Sequence, residues 1–147
     1  MPLYIAPVAY EFKFVRTVEF SETDMAGIVH FSNYAKYLEA AEHRFFRSIG
    51  YSIVAAPTDP RVGWPRVHAT CEYRKPLFFE DEFPITLRVP GKTSKSISYE
   101  FFFTKDGDEI ANGGLTICCV RRDDTGAMKA TDIPPDLAAK IEVAADN

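Results

Sequence analysis

One amphipathic helix, in a chain whose other segments read mostly as strands, is the feature that most restricts the fold. The segment 32–49 has the periodicity of a helix, with Ser32 suited to the N-cap and Gly50 to the C-terminal stop. Its apolar residues recur at steps of four, three, four and four and share one face: Tyr34, Leu38, Ala41, Phe45 and Ile49. A face this broad must be buried, and only a sheet remains to cover it.

The segments around this helix alternate as strands do. Residues 9–20 form the strand before it, and a loop rich in Pro and Gly follows at 51–65. Four more strands are predicted after that loop, at 66–74, 82–89, 94–104 and 108–121, with a hairpin turn at 105–108. A short final strand at 127–131 and a short terminal helix after Pro134-Pro135 complete the chain. The order predicts an α+β fold, in which an antiparallel sheet of five to six strands wraps around one long central helix.

Length and composition restrict the function. At 147 residues, residues 1–147 are expected to form a single domain. The net charge of −4 argues against nucleic acid or an anionic membrane as the main partner, since either would require a basic face. Three cysteines, two of them adjacent, fit a reducing compartment better than a disulfide framework. With neither a secretory signal nor an apolar stretch of about 20 residues, we expect a cytoplasmic protein without a membrane span.

The residues suited to chemistry cluster in the loop between the first strand and the helix. Asp24 supplies a carboxylate, Gly27 lets the backbone approach a ligand closely, and the helix start supplies free N–H groups. Such amides can polarise a carbonyl oxygen while the carboxylate attacks or activates water. Spacing alone gives equal weight to another interpretation, in which Asp24 forms an Asx-turn and Gly27 is a turn residue. The three histidines have no metal-ligand spacing, so no metal site is expected.

The same segment carries a family resemblance. The run V-E-F-S-E-T-D-M-A-G-I-V-H-F-S-N-Y-A-K-Y-L-E-A-A-E (18–42) is similar to the opening motif of the hotdog-fold acyl-CoA thioesterases of the 4-hydroxybenzoyl-CoA thioesterase type. The run C-E-Y-R-K-P-L-F-F-E-D-E-F (71–83) resembles a second passage of that family. The residues in register with the first motif are Asp24, Gly27, Ile28, Val29, Asn33, Tyr34 and Glu39. The resemblance implies a hotdog fold and hydrolysis of an acyl- or aroyl-CoA to the free acid and CoA.

The resemblance also implies roles for individual residues. Asp24 would be the catalytic carboxylate, and the thioester oxygen would lie against backbone N–H groups near His30 and Phe31. CoA belongs to the substrate, so no separate cofactor is implied. Phe31 stands where many relatives have His, and Glu42 where many have Arg, and both departures bear on the acyl group.

The substrate-binding residues are expected along the helix and at the strand ends. Tyr34 and Glu39 lie in the motif, and an apolar pocket lined by Phe31, Tyr34, Tyr37 and Trp64 would admit an aryl or a medium aliphatic group. Candidates for the CoA phosphates are Lys92, Lys95, Ser96 and Lys129, with the pair Arg121-Arg122. For any one of these cations, a solvated surface position is the competing interpretation.

The resemblance further implies a homodimer with a continuous sheet, often paired into a homotetramer, with the active site at the dimer interface. Two other functions remain open from the sequence. One is a hydratase or dehydratase of acyl-thioesters, with His30 as base and Glu39 as its partner. The other is a non-catalytic module that binds an acyl-CoA or an acyl carrier. Release of thiol from a panel of acyl-CoAs separates both from a thioesterase.

Overall fold

The computed structural model describes residues 9–54 and 61–145, which form two sheets, two α-helices and a 3-10 turn. The strands are β1 (Glu11–Thr17), β2 (Val62–Gly63), β3 (Arg66–Tyr73), β4 (Glu82–Lys92), β5 (Ser96–Lys105), β6 (Asp108–Cys118), β7 (Val120–Arg122) and β8 (Met128–Ala130). The helices are α1 (Asn33–Ser48) and α2 (Pro135–Lys140), and the 3-10 turn is Phe20–Glu22. The main sheet is antiparallel in the order β1-β4-β5-β6-β3, and a small sheet has the order β2-β7-β8.

Helix α1 lies against the inner face of the main sheet, as its periodicity predicts. Its fully buried side chains include Tyr37, Phe45 and Phe46, and the inner face of β4 meets them with alternating buried residues such as Phe83 and Ile85. Burial of one such large side chain stabilises the fold by about 1.5–3 kcal/mol. Ser32 occupies the N-cap position, but its backbone is already helical and its side chain makes no capping hydrogen bond.

Several strand boundaries differ from prediction. Strand β4 continues through Pro90-Gly91 to Lys92. Pro90 has no N–H to donate to a neighbouring strand, and the irregular register between Arg88 and Gly91 accommodates it. The predicted strand 108–121 is two strands, since the chain leaves the main sheet after Cys118 and pairs as β7 with β2. Strand β1 ends at Thr17, and β2 falls within the predicted loop, of which residues 55–60 lie outside the described part. The final strand and the terminal helix are confirmed as β8 and α2.

Strand β3 is an edge strand that one copy of the chain does not cover. Its residues are exposed on both faces apart from the half-buried Cys71, and the exposed fraction of the Val67 side chain is 61%. On its paired edge it approaches β6 closely, since a Cβ atom at Gly113 would lie 2.5 Å from the carbonyl oxygen of Thr70. The opposite edge pairs with no strand of the described residues. Exposed apolar residues on an unpaired edge are typical of a surface that a partner covers.

Candidate active site

The loop between β1 and α1 holds Asp24 in a tight turn. The Asp24 Oδ1 atom accepts a hydrogen bond from the N–H of Ala26 at 2.8 Å, which is an Asx-turn. The Gly27 N–H donates to the Asp24 carbonyl at 2.9 Å, and Gly27 has a φ of 82°, a left-handed conformation that favours glycine. No side chain or amide among the described residues donates to Oδ2 of Asp24, so the turn leaves one carboxylate oxygen available.

Asp24 lines an open pocket of about 430 Å³ whose walls are mainly apolar and aromatic. The other lining residues are Ile28, Val29, Phe31, Tyr34, Tyr73, Arg74, Lys75 and Pro76. The rings of Tyr34 and Tyr73 meet edge to face at 5.0 Å, and the Tyr73 hydroxyl donates to the Phe31 carbonyl at 3.4 Å. Residues from the loop, the helix start and the end of β3 therefore line one pocket together with Asp24.

The aromatic wall keeps its hydroxyl groups protonated. Burial, with the nearby Cys71 thiol and Tyr73 hydroxyl, raises the pKa of Tyr34 to about 12. Burial likewise raises the pKa of Tyr73. Both phenols are hydrogen-bond donors at neutral pH. The pocket thus offers flat apolar surfaces together with two neutral hydroxyls.

The helix start offers one unoccupied amide rather than two. The His30 N–H donates to the Glu22 carbonyl at 2.9 Å, and the Ser32 N–H donates to the His30 ring at 3.2 Å. Among the hydrogen bonds of residues 9–54 and 61–145, none has the Phe31 N–H as its donor. Of the two amides suggested by the resemblance, only that of Phe31 is free to meet a carbonyl oxygen.

The His30 side chain lies at the surface beside this pocket and does not line it. Its Nδ1 atom hydrogen-bonds the Ser32 hydroxyl at 2.7 Å, and its ring lies against that of Phe31 at 4.6 Å between centroids. Glu39 lies more than one helical turn beyond Asn33, the first residue of α1, and pairs with His43 at 3.8 Å. The His30–Glu39 pair that a hydratase would require is therefore not formed.

The basic residues predicted to hold CoA lie elsewhere in the chain. The Lys92 ammonium donates to the carbonyl oxygens of Ala138 and Ile141, at 2.6 and 2.5 Å, and so caps the end of α2. Lys95 pairs with Asp132 at 2.9 Å, and the Ser96 hydroxyl bonds that of Thr93 at 2.7 Å. With Glu39, these three residues are absent from the pocket at Asp24.

Lys129, by contrast, lines a second pocket that is strongly cationic. This pocket has a volume of about 280 Å³ and lies on the small sheet, bordered by Arg61, Arg121, Arg122, Asp123, Lys129, Ala130 and Thr131. Arg61 pairs with Asp124 at 2.7 Å. The Arg122 and Lys129 side chains beside this volume suit a phosphate group.

The predicted acyl pocket is partly corrected. Phe31 and Tyr34 line it, but Tyr37 is fully buried in the core and Trp64 packs against Phe46 at 5.7 Å. Tyr37 and Trp64 are both buried in the core. Tyr73 lies at the end of the predicted strand 66–74, and nothing local in the sequence shows that it and the next three residues meet the loop.

Glu42 is an acid that the fold buries completely. Its side chain is fully buried, Oε1 pairs with the guanidinium of Arg66, and Oε2 has no partner among the described residues. Burial raises the pKa of Glu42 to about 7, against the lowering effect of Arg66. This pair joins helix α1 to the first residue of β3, away from the residues that line the Asp24 pocket.

The described residues contain no cluster of three or more His, Cys, Asp and Glu placed to hold a metal ion. None of the helices in these residues has the length and apolarity to cross a membrane.

Comparisons with known proteins agree with this geometry. The family model of the thioesterase-like superfamily matches residues 18–141. A putative esterase of Aquifex aeolicus is 34% identical over 110 residues, which cover 75% of this chain and 85% of that protein. A 1,4-dihydroxy-2-naphthoyl-CoA hydrolase of Nostoc punctiforme is 33% identical over 81 residues, which cover 55% of this chain and 54% of that protein. The solved structure of a gentisyl-coenzyme A thioesterase superposes with a TM-score of 0.76 at 30% identity, covering 86% of this chain and 99% of that one.

The chain therefore belongs to the thioesterase-like superfamily, and its helix wrapped by an antiparallel sheet is the hotdog fold of that family. It is a thioester hydrolase.

Proposed function

We propose that this chain hydrolyses the CoA thioester of an aromatic acid and that Asp24 is its catalytic carboxylate. The observation that carries the proposal is the position of Asp24, which lines a pocket together with Phe31, Tyr34 and Tyr73 and keeps one carboxylate oxygen without a hydrogen bond among the described residues. The named relatives that act on CoA esters of hydroxylated aromatic acids support the same substrate class.

The reaction needs only groups present at this site. The Asp24 carboxylate either adds to the thioester carbonyl carbon or takes a proton from a water that adds there. The amide of Phe31 donates to the oxygen as it gains negative charge. The C–S bond breaks, and the sulfur leaves as the CoA thiolate and takes up a proton. Where Asp24 itself has added, water then hydrolyses the acyl–Asp24 anhydride and restores the carboxylate, so in both routes water supplies the oxygen of the free acid.

The aromatic wall favours a flat acyl group. An aryl ring in the pocket would pack against Phe31 and the Tyr34–Tyr73 pair, and such aromatic contacts add about 0.5–1.5 kcal/mol beyond area burial. The Tyr73 hydroxyl, which donates to the Phe31 carbonyl, would accept a hydrogen bond from a ring hydroxyl of the substrate. An aliphatic chain would gain burial but none of these directional contacts.

A homodimer would bring the two pockets together. The Arg66 end of β3 pairs with the end of β6 from which the small sheet continues, whereas the Tyr73 end borders the Asp24 pocket. When two copies pair edge to edge through β3 around a two-fold axis, the strands run antiparallel. The cationic pocket of each copy then lies toward the Asp24 pocket of the other. We propose that the phosphates of CoA bind there, on the partner's Arg122 and Lys129, while the acyl group enters beside Asp24.

The direct test is thiol release from a panel of aroyl- and acyl-CoAs, with Asp24→Asn as the variant. This change keeps the Asx-turn acceptor but removes the charge, so kcat should fall by at least about a hundredfold. Asp106→Asn, the same change at an exposed turn of the β5–β6 hairpin, is the control and should leave kcat unchanged. Turnover by Asp24→Asn near that of the unaltered protein would falsify the assignment of Asp24.

A further inference from the structure

Glu22 is the most unusual residue near Asp24, because it is a buried acid directly before an exposed loop. Only 6% of its surface is exposed, although Ser21 before it and Met25 after it in the loop are exposed. Burial of a carboxylate is costly unless it is paired and hydrogen-bonded. The contacts of Glu22 show which parts of the chain this buried residue connects.

Both carboxylate oxygens of Glu22 are occupied. Oε2 accepts from Nη2 of Arg16 at 2.8 Å, and Oε1 accepts from the backbone N–H of Glu19 at 2.8 Å. Arg16 lies in β1 and its guanidinium also stacks over the ring of the buried Tyr37 at 5.0 Å. The side chain therefore fixes residue 22 to the end of β1 and to the core below.

The backbone of Glu22 fixes the other end of the loop. Its carbonyl oxygen accepts from the His30 N–H at 2.9 Å and from Nδ2 of the buried Asn33 at 2.7 Å. Asn33 is the first residue of α1. One residue thus holds both β1 and the helix start, and Asp24 lies on the short loop between the two attachments.

From these contacts we propose that Glu22 is the positioning residue of the active site, an inference that rests on the proposed role of Asp24. The Arg16–Glu22 pair sets the place of the Glu22 carbonyl, which binds the His30 amide and leaves the neighbouring Phe31 amide directed at the substrate. It also sets where the Asp24 carboxylate lies relative to that amide. A misplacement of about 1 Å between reacting groups can cost a hundredfold in rate.

The variants remove either the Arg16–Glu22 pair or the hydrogen bond from Asn33 to the Glu22 carbonyl. Glu22→Gln keeps the shape but loses the charge that holds Arg16, and Asn33→Ala removes one donor to the Glu22 carbonyl. Arg16→Gln removes the partner, and Arg16→Lys keeps the positive charge as the conservative replacement. The matched control is Glu42→Gln, which removes the charge of the other buried glutamate paired to an arginine.

Glu42 is nine residues beyond Asn33, about 14 Å along the helix. We expect Glu22→Gln, Arg16→Gln and Asn33→Ala to lower kcat at least about tenfold with KM changed by less than about twofold, measured well below the melting temperature. Arg16→Lys should recover most of the rate lost in Arg16→Gln. Glu42→Gln should keep kcat. Equal kcat losses in Glu22→Gln and Glu42→Gln would reduce the effect to general destabilisation and overturn the proposal.

A second measurement does not depend on turnover. Hydrogen exchange of the His30 amide, followed by NMR, reports its bond to the Glu22 carbonyl, and protection should fall at least about tenfold in Glu22→Gln but not in Glu42→Gln. Unchanged protection together with unchanged kcat would overturn the positioning role. If the unaltered protein released no thiol from any aroyl-CoA, the proposed function would fail, and the exchange result would still decide whether Glu22 holds this loop.

Discussion

Replacing Glu42 by glutamine should remove a loss of stability that the unaltered protein suffers as pH rises from 5 to 8. Glu42 is fully buried and its pKa is raised by burial to about 7, from an ordinary value of 4.5. The folded protein thus holds this proton more tightly than the unfolded chain does. Between those two pH values the folded state binds more protons, so its stability falls as pH rises.

The structure sets the size of the effect. A rise in pKa from 4.5 to about 7 corresponds, at about 1.4 kcal/mol per unit, to about 3 kcal/mol. The loss is absent below pH 4.5 and complete above pH 7. Arg66 already limits it, because its guanidinium pairs with Oε1, but Oε2 is left without a partner among the described residues. Glutamine carries no charge and does not titrate, so its variant should lack this slope.

Urea unfolding at pH 5, 6, 7 and 8 measures the effect, with protomer concentration held fixed because assembly also shifts stability. Because a small part of the loss has already occurred at pH 5, we expect the free energy of unfolding to fall by about 2–3 kcal/mol more in the unaltered protein than in Glu42→Gln between pH 5 and pH 8. With a typical slope of about 1–3 kcal/mol per molar urea, the midpoints should diverge by about 1–2 M. Asp106→Asn should follow the unaltered protein. Parallel pH profiles for the unaltered protein and Glu42→Gln would refute the argument that burial dominates at Glu42.

Three further predictions concern assembly and substrate. Val67→Lys places a charge on the exposed face of β3 and should convert the proposed dimer to a monomer in sedimentation, with loss of thiol release; a dimer that survives would exclude this edge as the interface. Arg122→Gln combined with Lys129→Gln should raise KM for the CoA ester with little change in kcat, and the KM difference should shrink at high salt; a loss confined to kcat would contradict phosphate binding. Tyr73→Leu keeps an apolar wall without the ring and should lower kcat/KM for an aroyl-CoA more than for an aliphatic acyl-CoA of similar size; equal losses would show that the ring is not recognised.

The helix and the Asp24 loop were predictable because their signals are local. The periodicity of 32–49 fixes both the type of element and its buried face, and the run before it contains the turn residues that the structure uses. The break between β6 and β7 was not predictable in this way, since the apolar alternation continues through Cys118 and Val120 while the chain changes sheet.

Contacts between distant segments explain the other errors. Lys92 resembles a ligand-binding cation in the sequence, yet it caps a helix that begins more than forty residues later. Glu22 stands in a polar run between Ser21 and Thr23, and its burial depends on an arginine from β1 and on the first residue of α1. Tyr73 reaches the pocket only because β3 lies at the edge of the main sheet. Local patterns therefore located three residues that line the pocket, Asp24, Phe31 and Tyr34, but not the contacts that distant segments make around them.

The two interpretations of Asp24 as a turn residue and as a catalytic group are compatible, and a second turn in the chain shows why. Asp123 and Gly126 repeat the spacing of Asp24 and Gly27, and their glycines have φ values of 84° and 82°. In both turns Oδ1 accepts from the amide two residues later at 2.8 Å. At Asp123, however, further bonds from the Thr125 hydroxyl and a third residue crowd the same oxygen and lower the pKa of the carboxyl. The turn geometry therefore carries no function by itself, and it is the aromatic pocket, the free amide and the strand-to-helix setting that distinguish Asp24.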